Sequence, residues 1–327
     1  MKRKDNRFFH SISLFCPLDF TDPVTYFIPV FILLIVGEIF LYQIPQKVFT
    51  KRLIKDNVSS IGLGIGAVML DFGMKAISLS YFFWIYNHFR LTDIFGIKDF
   101  NKFFTLQWHA DHWWLWLLVM IVQDFGFYWH HRLSHKIRLF WTGHVNHHSA
   151  THLSLAIALR QGWFEIIYRD IWYIPFIMIG FHPIMIAMMH QFNLIFQFWP
   201  HTNAIGKLGW FDKVFNSPSN HRVHHSRKIE DLDNNYGGIL MIWDHLFGTY
   251  KVEEKKTTEY GIYHNIHTYN VFHIVFDEFG KMIKDVRNAP SWKAKLGYIF
   301  NAPGWHHHDK DERISTLKRE LKEKMNN

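Results

Sequence analysis

The sequence has 327 residues, of which 49% are hydrophobic and 18% aromatic, so the chain can bury a sizeable core. A single cysteine, Cys16, excludes an internal disulfide and an iron–sulfur cluster ligated by the chain's own cysteines. The formal charge of +8 comes from basic runs beside apolar segments, which is typical of contact with anionic lipid. We therefore expect no nucleic-acid partner.

Four apolar segments are predicted to cross a membrane. The first has twenty residues and one acid, Glu38, which matches the roughly 20 residues that a spanning helix needs. The second contains Asp71 and Lys75, so it either spans with polar interruptions or forms two bent half-helices. The four segments are residues 25–44, 58–86, 113–129 and 171–189.

The basic loop at 45–57 predicts the orientation of these spans. It is short and lies between two apolar segments, and such loops usually face the cytoplasm. This places the residues after Trp129 on the cytoplasmic side. We predict a multi-pass integral membrane protein with a cytoplasm-facing active site, in a bacterial inner membrane or, in a eukaryote, in the endoplasmic reticulum.

Histidines recur at helical spacing after the third apolar segment. His131 and His135 are four residues apart and would share one face of a helix. Two H-x-x-H-H motifs place three imidazoles each at positions i, i+3 and i+4. These motifs contain His144, His147, His148 and His221, His224, His225. Between them, a further helical stripe contains His190, Asn193, Gln197 and His201.

This set of histidines predicts a metal site. A single histidine is more often solvated or interfacial, but chance is a poor explanation for two copies of H-x-x-H-H and one H-x-x-x-H. Imidazole suits iron, zinc, copper and nickel, and eight or nine ligands are too many for one ion, so two metals are implied. The spacing leaves open an oxygen-activating di-iron site, a hydrolytic di-zinc site and a metal-binding or transport protein. Transport is less favoured because the histidines follow the spans instead of lining them.

The motifs HRLSH, HVNHH and HRVHH resemble the three histidine boxes of the fatty acid hydroxylase and sterol desaturase superfamily, whose members are membrane di-iron oxygenases. Further stretches, including LSLAIALRQ, QFNLIFQFWPHT and NNYGGILMIWDHLFGTY, are similar to the alkylglycerol monooxygenase branch, whose members hydroxylate ether lipids with tetrahydrobiopterin. The resemblance extends from about Trp113 to Trp305.

The resemblance implies a ligand set of nine histidines around two irons. It also implies that Arg160 and Gln161 contact a cofactor or a lipid head group, and it adds no catalytic residue beyond the ligands. Gln197 is expected to ligate weakly or to bond a bound water. The implied ligands are His131, His135, His144, His147, His148, His221, His224 and His225, with His201 as the ninth.

Metal-bound imidazoles usually donate their second N–H to a carboxylate or a carbonyl. Asp124 lies two helical turns before His131 and so shares its face. Asp233 and Asp244 follow the last box. Helix capping and surface solvation are the alternative roles for these acids. The predicted partners around the ligands are Asp124, His190, Asn193, Gln197, Asp233 and Asp244.

No flavin- or nicotinamide-binding pattern is visible. The GLGIG stretch at 62–66 lies inside an apolar segment, where close helix packing is its expected role. The two electrons for oxygen insertion are therefore expected from tetrahydrobiopterin, which the resemblance favours, or from a separate redox protein. The alternative function is a sterol or fatty acyl hydroxylase or desaturase fed by such a protein.

The predicted architecture is all-α, with integral membrane helices and a cytosol-facing, histidine-rich helical cap enclosing a di-metal site. The protein is expected to be an O2-dependent di-iron monooxygenase that hydroxylates an aliphatic C–H of a lipid. One domain, 1–327, is expected to contain the spans, the cap at about 130–160 and 200–250, and a charged tail at 308–327.

Overall fold

The computed structural model describes residues 23–95, 113–308 and 310–326. The predicted all-α class is confirmed for these residues, in which β-structure is limited to isolated bridges such as that between Phe215 and Leu240. The α-helices are α1 (Pro23–Glu38), α2 (Lys51–His88), α3 (Leu91–Ile94), α4 (Trp113–Lys136), α5 (Arg138–His148), α6 (Trp163–Tyr168), α7 (Ile174–Ile179), α8 (Pro183–Phe198), α9 (Trp210–Val214), α10 (Pro218–His224), α11 (Ile242–Leu246), α12 (Val271–Asn288), α13 (Trp292–Phe300) and α14 (Ile314–Asn326). A π-helical turn (Ile39–Gln43) extends α1, and 3-10 turns cover Leu155–Leu159 and Arg169–Tyr173.

Helices α1 and α2 expose apolar side chains along much of their length. In the described ranges, Pro23–Gln43 and Lys51–Ile94 are the two helical stretches that are long and apolar enough to cross a membrane. Leu33, Leu41 and Phe72 are 70%, 83% and 85% exposed. Contiguous apolar surface of this kind is unfavourable in water and is accommodated by lipid. The two helices indicate a membrane protein.

Helix α2 is continuous over 38 residues, so of the two alternatives for the second apolar segment the structure has the single helix. Its charges are paired: Asp71 Oδ2 lies 2.8 Å from Lys75 Nζ, and Asp71 Oδ1 accepts a 2.7 Å hydrogen bond from Arg169. An acid in an apolar span is tolerated when a partner neutralises it.

The other two predicted spans differ from each other. Residues 113–129 lie within the continuous helix α4. Residues 171–189 are divided among a 3-10 turn, α7 and the start of α8. Gly180, which ends α7, has φ +126°, a conformation that favours glycine. The segment 171–189 is therefore bent, and the four-span topology stays a prediction.

The largest core cluster lies among α2, α4, α7 and α8 and aligns α4 with α8. Close packing at GLGIG is confirmed: a Cβ on Gly64 would lie 2.8 Å from the Leu159 carbonyl oxygen, and one on Gly66 would lie 2.2 Å from the Trp163 ring. The buried members of the large cluster are Phe82, Tyr86, Leu115, Val119, Tyr173, Ile177, Phe181, Met185, Ile186 and Met189.

Glu38, the acid in the first apolar segment, has a structural role. It is buried and accepts hydrogen bonds from the Leu155 backbone N–H at 2.9 Å and from the Gln43 side chain at 3.0 Å. The Thr202 hydroxyl donates to its second oxygen. Because Thr202 directly follows His201, Glu38 ties the end of α1 to the loop that carries this histidine.

Candidate metal centre

The nine histidines predicted as ligands come together in two adjoining groups. In each group, one ring nitrogen from every histidine lies within 4.8 Å of those of the others. The side chains are buried or nearly so. Group one contains His131, His135, His144, His148 and His224, and group two contains His147, His201, His221 and His225.

Each H-x-x-H-H box contributes to both groups. On α5, His144 and His148 point into group one while His147 points into group two. In the third box, at α10, the assignment is reversed: His224 joins group one, whereas His221 and His225 join group two. The groups therefore share a border, where the rings of His148 and His225 stack with centroids 4.4 Å apart.

The Nε2 atoms converge at distances that suit metal ligation. His148 Nε2 lies 3.2 Å from His144 Nε2 and 3.1 Å from His224 Nε2 in group one. In group two, His201 Nε2 lies 3.1 Å from His147 Nε2 and 2.8 Å from His221 Nε2. Nitrogens bound about 2.1 Å from one ion would lie roughly 3.0 to 3.4 Å apart. The observed spacing is close to that of neighbouring ligands on a shared ion.

The second ring nitrogen of four of these histidines donates to a backbone carbonyl. A carbonyl only accepts hydrogen bonds, so Nδ1 carries the proton and Nε2 of the neutral ring carries a lone pair. The four bonds run from His131 to Tyr236 at 2.8 Å, from His147 to Arg160 at 3.3 Å, from His201 to Gln197 at 2.8 Å and from His224 to Asn234 at 3.0 Å.

These tautomers provide a test of whether the site fits a metal. His147 and His201 both have Nδ1 bonded to a carbonyl, so the two Nε2 atoms that face each other at 3.1 Å both present lone pairs. The Nε2 atoms of His131 and His135 are buried without a hydrogen-bond partner. Buried, converging lone pairs repel each other and are stabilised by a cation. The donor set fits two nitrogen-ligated metal ions.

Burial favours the neutral form of His135, His148 and His201. It lowers the pKa of His135 and of His201 to about 4, and it lowers the pKa of His148 well below the usual histidine value. Neighbouring histidines add to the shift because a second positive charge in the group would be repelled. Neutral imidazole is the form that binds metal, so the nitrogens are ready for ligation at neutral pH.

Two carboxylates support group one. Asp233 Oδ1 lies 3.5 Å from His135 Nδ1, and its other oxygen accepts from Lys136. Glu165 Oε2 lies 3.2 Å from His144 Nδ1. Burial alone would raise the pKa of Asp233, but His135 and Lys136 hold it well below its ordinary value. Despite burial, the interactions of Glu165 with His144, His130 and Arg169 lower the pKa of its carboxyl to about 2.

Asp233 lies beside His135, one of the predicted ligands. Glu165 was missed because it lies alone in the apolar stretch of α6, with no spacing that relates it to a box. The buried His130 lies outside both groups, with Nε2 3.4 Å from Glu165.

The turn at 233–238 supplies two of the carbonyl partners. Asp233 and Asn235 have φ of +59° and +56°, the left-handed region that Asp and Asn tolerate better than most residues. Because Asp233 and Asn235 adopt this conformation, the carbonyls of the residues that follow them, Asn234 and Tyr236, point toward the histidines. The stretch NNYGG ends in Gly238, where a Cβ would lie 2.7 Å from the Phe127 ring. A larger residue would push the turn away from the ligands.

Asp124 and Asp244 hold this region and do not contact the histidines among the described contacts. Asp124 is fully buried and accepts from the backbone N–H groups of Ile239 at 2.8 Å and Leu240 at 3.0 Å. Asp244 accepts from the backbone N–H of Tyr236 at 2.8 Å. The prediction that Asp124 bonds His131 is corrected. Two helical turns separate them by about 10 Å along the helix axis, which is too far for a direct bond.

The polar side chains of α8 form a buried network beside the two histidine groups. Asn193 donates to Asp124 at 2.9 Å and to Gln123 at 3.0 Å, and His190 lies 3.2 Å from Gln123. The Gln197 side chain donates to Asn193, while its backbone carbonyl accepts from His201. Gln197 thus contacts His201 through its backbone, whereas its side chain bonds Asn193.

Arg160 and Gln161 do not line an open cofactor site in this structure. Arg160 is 1% exposed, and its guanidinium donates to the Asn146 carbonyl at 2.8 Å and to Ser149 and Ser59 hydroxyls at 2.9 Å. Burial lowers its pKa to about 10. Gln161 donates to the Ala158 carbonyl. Arg160 secures the end of α5, and its own carbonyl orients His147.

A buried ion pair supports the third box and was not predicted. Arg222, next to His221, is fully buried and donates to both oxygens of Glu253 at 2.8 Å. It also donates to the Thr202 carbonyl at 3.2 Å, which connects the third box to the loop of His201. Ser217 is the N-cap of α10 and Pro218 is its first residue, so the first turn of the helix that carries the third box is fixed.

A cavity of about 530 Å³ reaches group one. Its inner wall includes His135, His148 and His224, and Trp141 lies beside the first two with ring centroids 5.1 and 5.8 Å away. The outer part is lined largely by charged residues of α12 and by the segment at 302–315. This cavity connects the histidines of group one with the segment at 302–315, and its volume is sufficient for a small molecule.

Comparison with known proteins agrees with this geometry. Residues 116–249 match the family model described as fatty acid hydroxylase, and the match encloses all nine histidines. This part of the chain is therefore similar to fatty acid hydroxylases. The resemblance predicted from the histidine boxes is confirmed.

The relatives that the chain matches are named as lipid monooxygenases or hydroxylases. Alkylglycerol monooxygenase of Xenopus tropicalis is 34% identical over 252 residues, which is 77% of this chain and 53% of the relative. The Homo sapiens protein of that name is 34% identical over 250 residues, covering 76% and 53%. Ornithine lipid hydroxylase OlsE of Rhizobium tropici is 29% identical over 135 residues, 41% of each chain. The chain spans about half the length of the alkylglycerol monooxygenases it matches, and no solved structure matches it.

Proposed function

We propose that this chain is a membrane di-iron monooxygenase that uses O2 to hydroxylate an aliphatic carbon of a lipid. The observation that carries the proposal is the convergence of nine imidazoles, with lone pairs directed inward, in two adjoining groups. Imidazole is a suitable ligand for iron, and the similarity to fatty acid hydroxylases favours iron over zinc. Group one would hold one ion and group two the other.

The nine histidines would hold two irons, which would supply O2 activation for insertion of one oxygen atom into C–H, with two electrons and two protons converting the second oxygen to water. The chain's own residues prepare the site. Asp233 and Glu165 orient His135 and His144 and increase their basicity as ligands. Burial of both groups limits contact with bulk water, which protects an oxidising site from side reactions.

An ether lipid is the substrate that the relatives favour. Hydroxylation of the carbon beside the ether oxygen gives a hemiacetal, which collapses to an aldehyde and an alcohol. Lipids of this kind partition into the bilayer, and the exposed apolar surfaces of α1 and α2 support delivery from there. The basic loop at 45–57 supports an active site that faces the cytoplasm, in a bacterial inner membrane or the endoplasmic reticulum.

A small reductant is the electron donor that the cavity favours. Its volume of about 530 Å³ is in the range typical of small-molecule sites, and its inner end is formed by group one histidines. Tetrahydrobiopterin is a molecule of suitable size and polarity. Neither Arg160 nor Gln161 lines this cavity, so we assign the cofactor to the cavity and not to those residues.

The test is turnover of purified protein in lipid nanodiscs with an alkylglycerol, O2 and tetrahydrobiopterin. We expect O2 consumption matched by aldehyde formation, both requiring the pterin. His147→Ala is the control, because it removes a group two ligand without altering an apolar helix. Aldehyde formation that continues without O2, or full activity in His147→Ala, would contradict the proposal.

Hydroxylation of an acyl chain, fed by a separate redox protein, is the second candidate. The similarity to an ornithine lipid hydroxylase over 135 residues supports it, because that relative is named for a lipid other than an alkylglycerol. A sterol or fatty acyl hydroxylase or desaturase belongs to the same class. Mass spectrometry of acyl lipids incubated with the protein, ferredoxin and its reductase separates the two candidates: hydroxylated acyl product and unchanged alkylglycerol would favour this one.

A further inference from the structure

Helix α12 has three distinct faces. One is buried in the protein through Ile274, Val275 and Met282. A second bears charged side chains. The third is apolar and exposed, with Phe272 at 64% and Phe276 at 49% exposure. A helix buried on one side normally exposes polar residues elsewhere, so an exposed aromatic face requires a partner.

The charged face of α12 borders the cavity that leads to group one. Asp277, Lys281 and Lys284 line this cavity. At 100° per residue, Phe272 and Phe276 lie roughly 80 to 180° around the helix from the two lysines. The charged face is therefore on the aqueous side, and the aromatic face points away from it.

The aromatic face is continuous with the lipid-exposed surface of α2. The Phe272 ring lies 5.7 Å from that of Trp163, whose Nε1 donates to the Leu63 carbonyl at 3.0 Å. At this level of α2, Ile61 and Ile65 are 40% and 60% exposed. Because α2 is a candidate membrane helix, Phe272 lies beside a surface that faces acyl chains.

Helix α13 repeats the pattern directly after α12. Ala294 and Tyr298 are buried, whereas Trp292, Leu296 and Phe300 are 78%, 51% and 56% exposed. Their spacing of four residues places these three on one helical face. We call the exposed apolar residues of both helices, Phe272, Phe276, Trp292, Leu296 and Phe300, the interfacial surface.

The unpaired charges around this surface are positive. The acids of α12 are engaged, since Glu278 and Asp285 bond Arg138 at 2.8 and 2.7 Å and Asp277 pairs with a lysine one turn away. By contrast, four basic residues form no ion pair with any residue that the structure describes. They are Lys284, Arg287, Lys293 and Lys295, of which the last lies over the Trp292 ring.

We propose that the interfacial surface lies in the bilayer, among the head groups and upper acyl chains of one leaflet, and that the neighbouring basic residues bind anionic head groups. Amphipathic helices with aromatic residues on one face and basic residues on another lie in the membrane plane in this way. The continuity with α2 and the surplus of positive charge favour an anionic bilayer over a protein partner. The element would hold the mouth of the cavity at the membrane surface.

Depth-dependent fluorescence quenching tests the proposal on the full chain. In a Cys16→Ser background, Phe276→Cys and Trp292→Cys are each labelled with an environment-sensitive dye and reconstituted in nanodiscs containing anionic lipid and spin-labelled lipid. Lys281→Cys is the matched control, because it lies on the charged face of the same helix and its side chain is 56% exposed. Leu33→Cys on α1 is the lipid-exposed reference.

We expect the dyes at 276 and 292 to be quenched to an extent similar to that at 33. The dye at 281 should be quenched no more than the same dye free in solution with the nanodiscs. Replacing the anionic lipid with a zwitterionic one should reduce quenching at 276 and 292 while leaving 33 unchanged. Equal, weak quenching at 276 and 281 would overturn the proposal. So would a blue-shifted dye at 276 or 292 that spin-labelled lipid does not quench, since that result indicates contact between copies of the chain. The readout is independent of enzymatic activity.

Discussion

Group one and group two are built from the same residue type but supported differently. Group one has carboxylates behind His135 and His144, and three of its members line the cavity. The second partners of His147 and His201 in group two are backbone carbonyls, and no member of group two lines that cavity. Carboxylate partners make an imidazole more electron-rich than carbonyl partners do. The comparison assigns group one to reactant access and group two to a more enclosed supporting role.

The largest expected effect is the loss of a ligand from either group. Both His148→Ala and His147→Ala should abolish turnover, because O2 activation by a pair of ions requires both groups. The loss of turnover should exceed the decrease of about 10- to 100-fold that follows removal of a hydrogen-bond partner of a ligand. Measurements of product formation and iron per chain check this, with His88→Ala as a control at an exposed histidine that does not line the cavity. A variant with one group removed that retains turnover would break the comparison.

The support of group two by a buried ion pair predicts a stability effect. Glu253→Ala leaves Arg222 buried without its carboxylate, which should lower the free energy of unfolding by about 3 to 5 kcal/mol. Denaturant or thermal unfolding of the detergent-solubilised protein measures this effect. Glu254→Ala is the matched control, because Glu254 is exposed. Equal stability of the two variants would mean that Arg222 finds other partners.

The carboxylates behind group one predict a selective effect on metal affinity. Asp233→Asn should weaken iron binding at group one by about 10- to 100-fold, because the amide is a poorer acceptor for His135. Iron titration with a competing chelator should then resolve one weakened and one unchanged site. Asp231→Asn, at a residue that pairs with Lys251 away from the histidines, should bind like the parent protein. Equal weakening of both sites would remove the distinction between the groups.

The smallest expected effect concerns access through the cavity. Ser315 lines the outer part of the cavity and is exposed, so Ser315→Trp should narrow the route without unfolding the protein. We expect the KM for tetrahydrobiopterin to rise about tenfold, equivalent to about 1.4 kcal/mol, with the KM for the lipid unchanged. Steady-state kinetics with each substrate varied in turn provides the measurement. A rise in the lipid KM alone would assign the cavity to the lipid.

The histidine groups were predictable because helical spacing alone places i, i+3 and i+4 side chains together. Their division was not, since it depends on how α5 and α10 pack against each other. His147 and His148 are sequence neighbours that enter different groups. The bend in the segment 171–189, which was predicted to be a span, was not predicted, because the glycine turn at Gly180 depends on local packing.

The supporting partners were harder to predict because many are backbone atoms. The carbonyls of Tyr236 and Asn234 reach their histidines because two residues of the turn at 233–238 have left-handed backbone conformations. Asp124 has the correct helical phase but lies too far from His131, and Glu165 reaches His144 from a separate helix. Phase along one helix is readable in a sequence, whereas contacts between distant segments are not.

Metal content measured on protein expressed with supplemented iron tests the central claim most directly. Elemental analysis of the purified chain should give two irons per chain, and His147→Ala and His148→Ala should each lower that value. Zinc in place of iron, or fewer than two ions per chain in a folded, iron-replete preparation, would contradict a di-iron centre formed by the nine histidines.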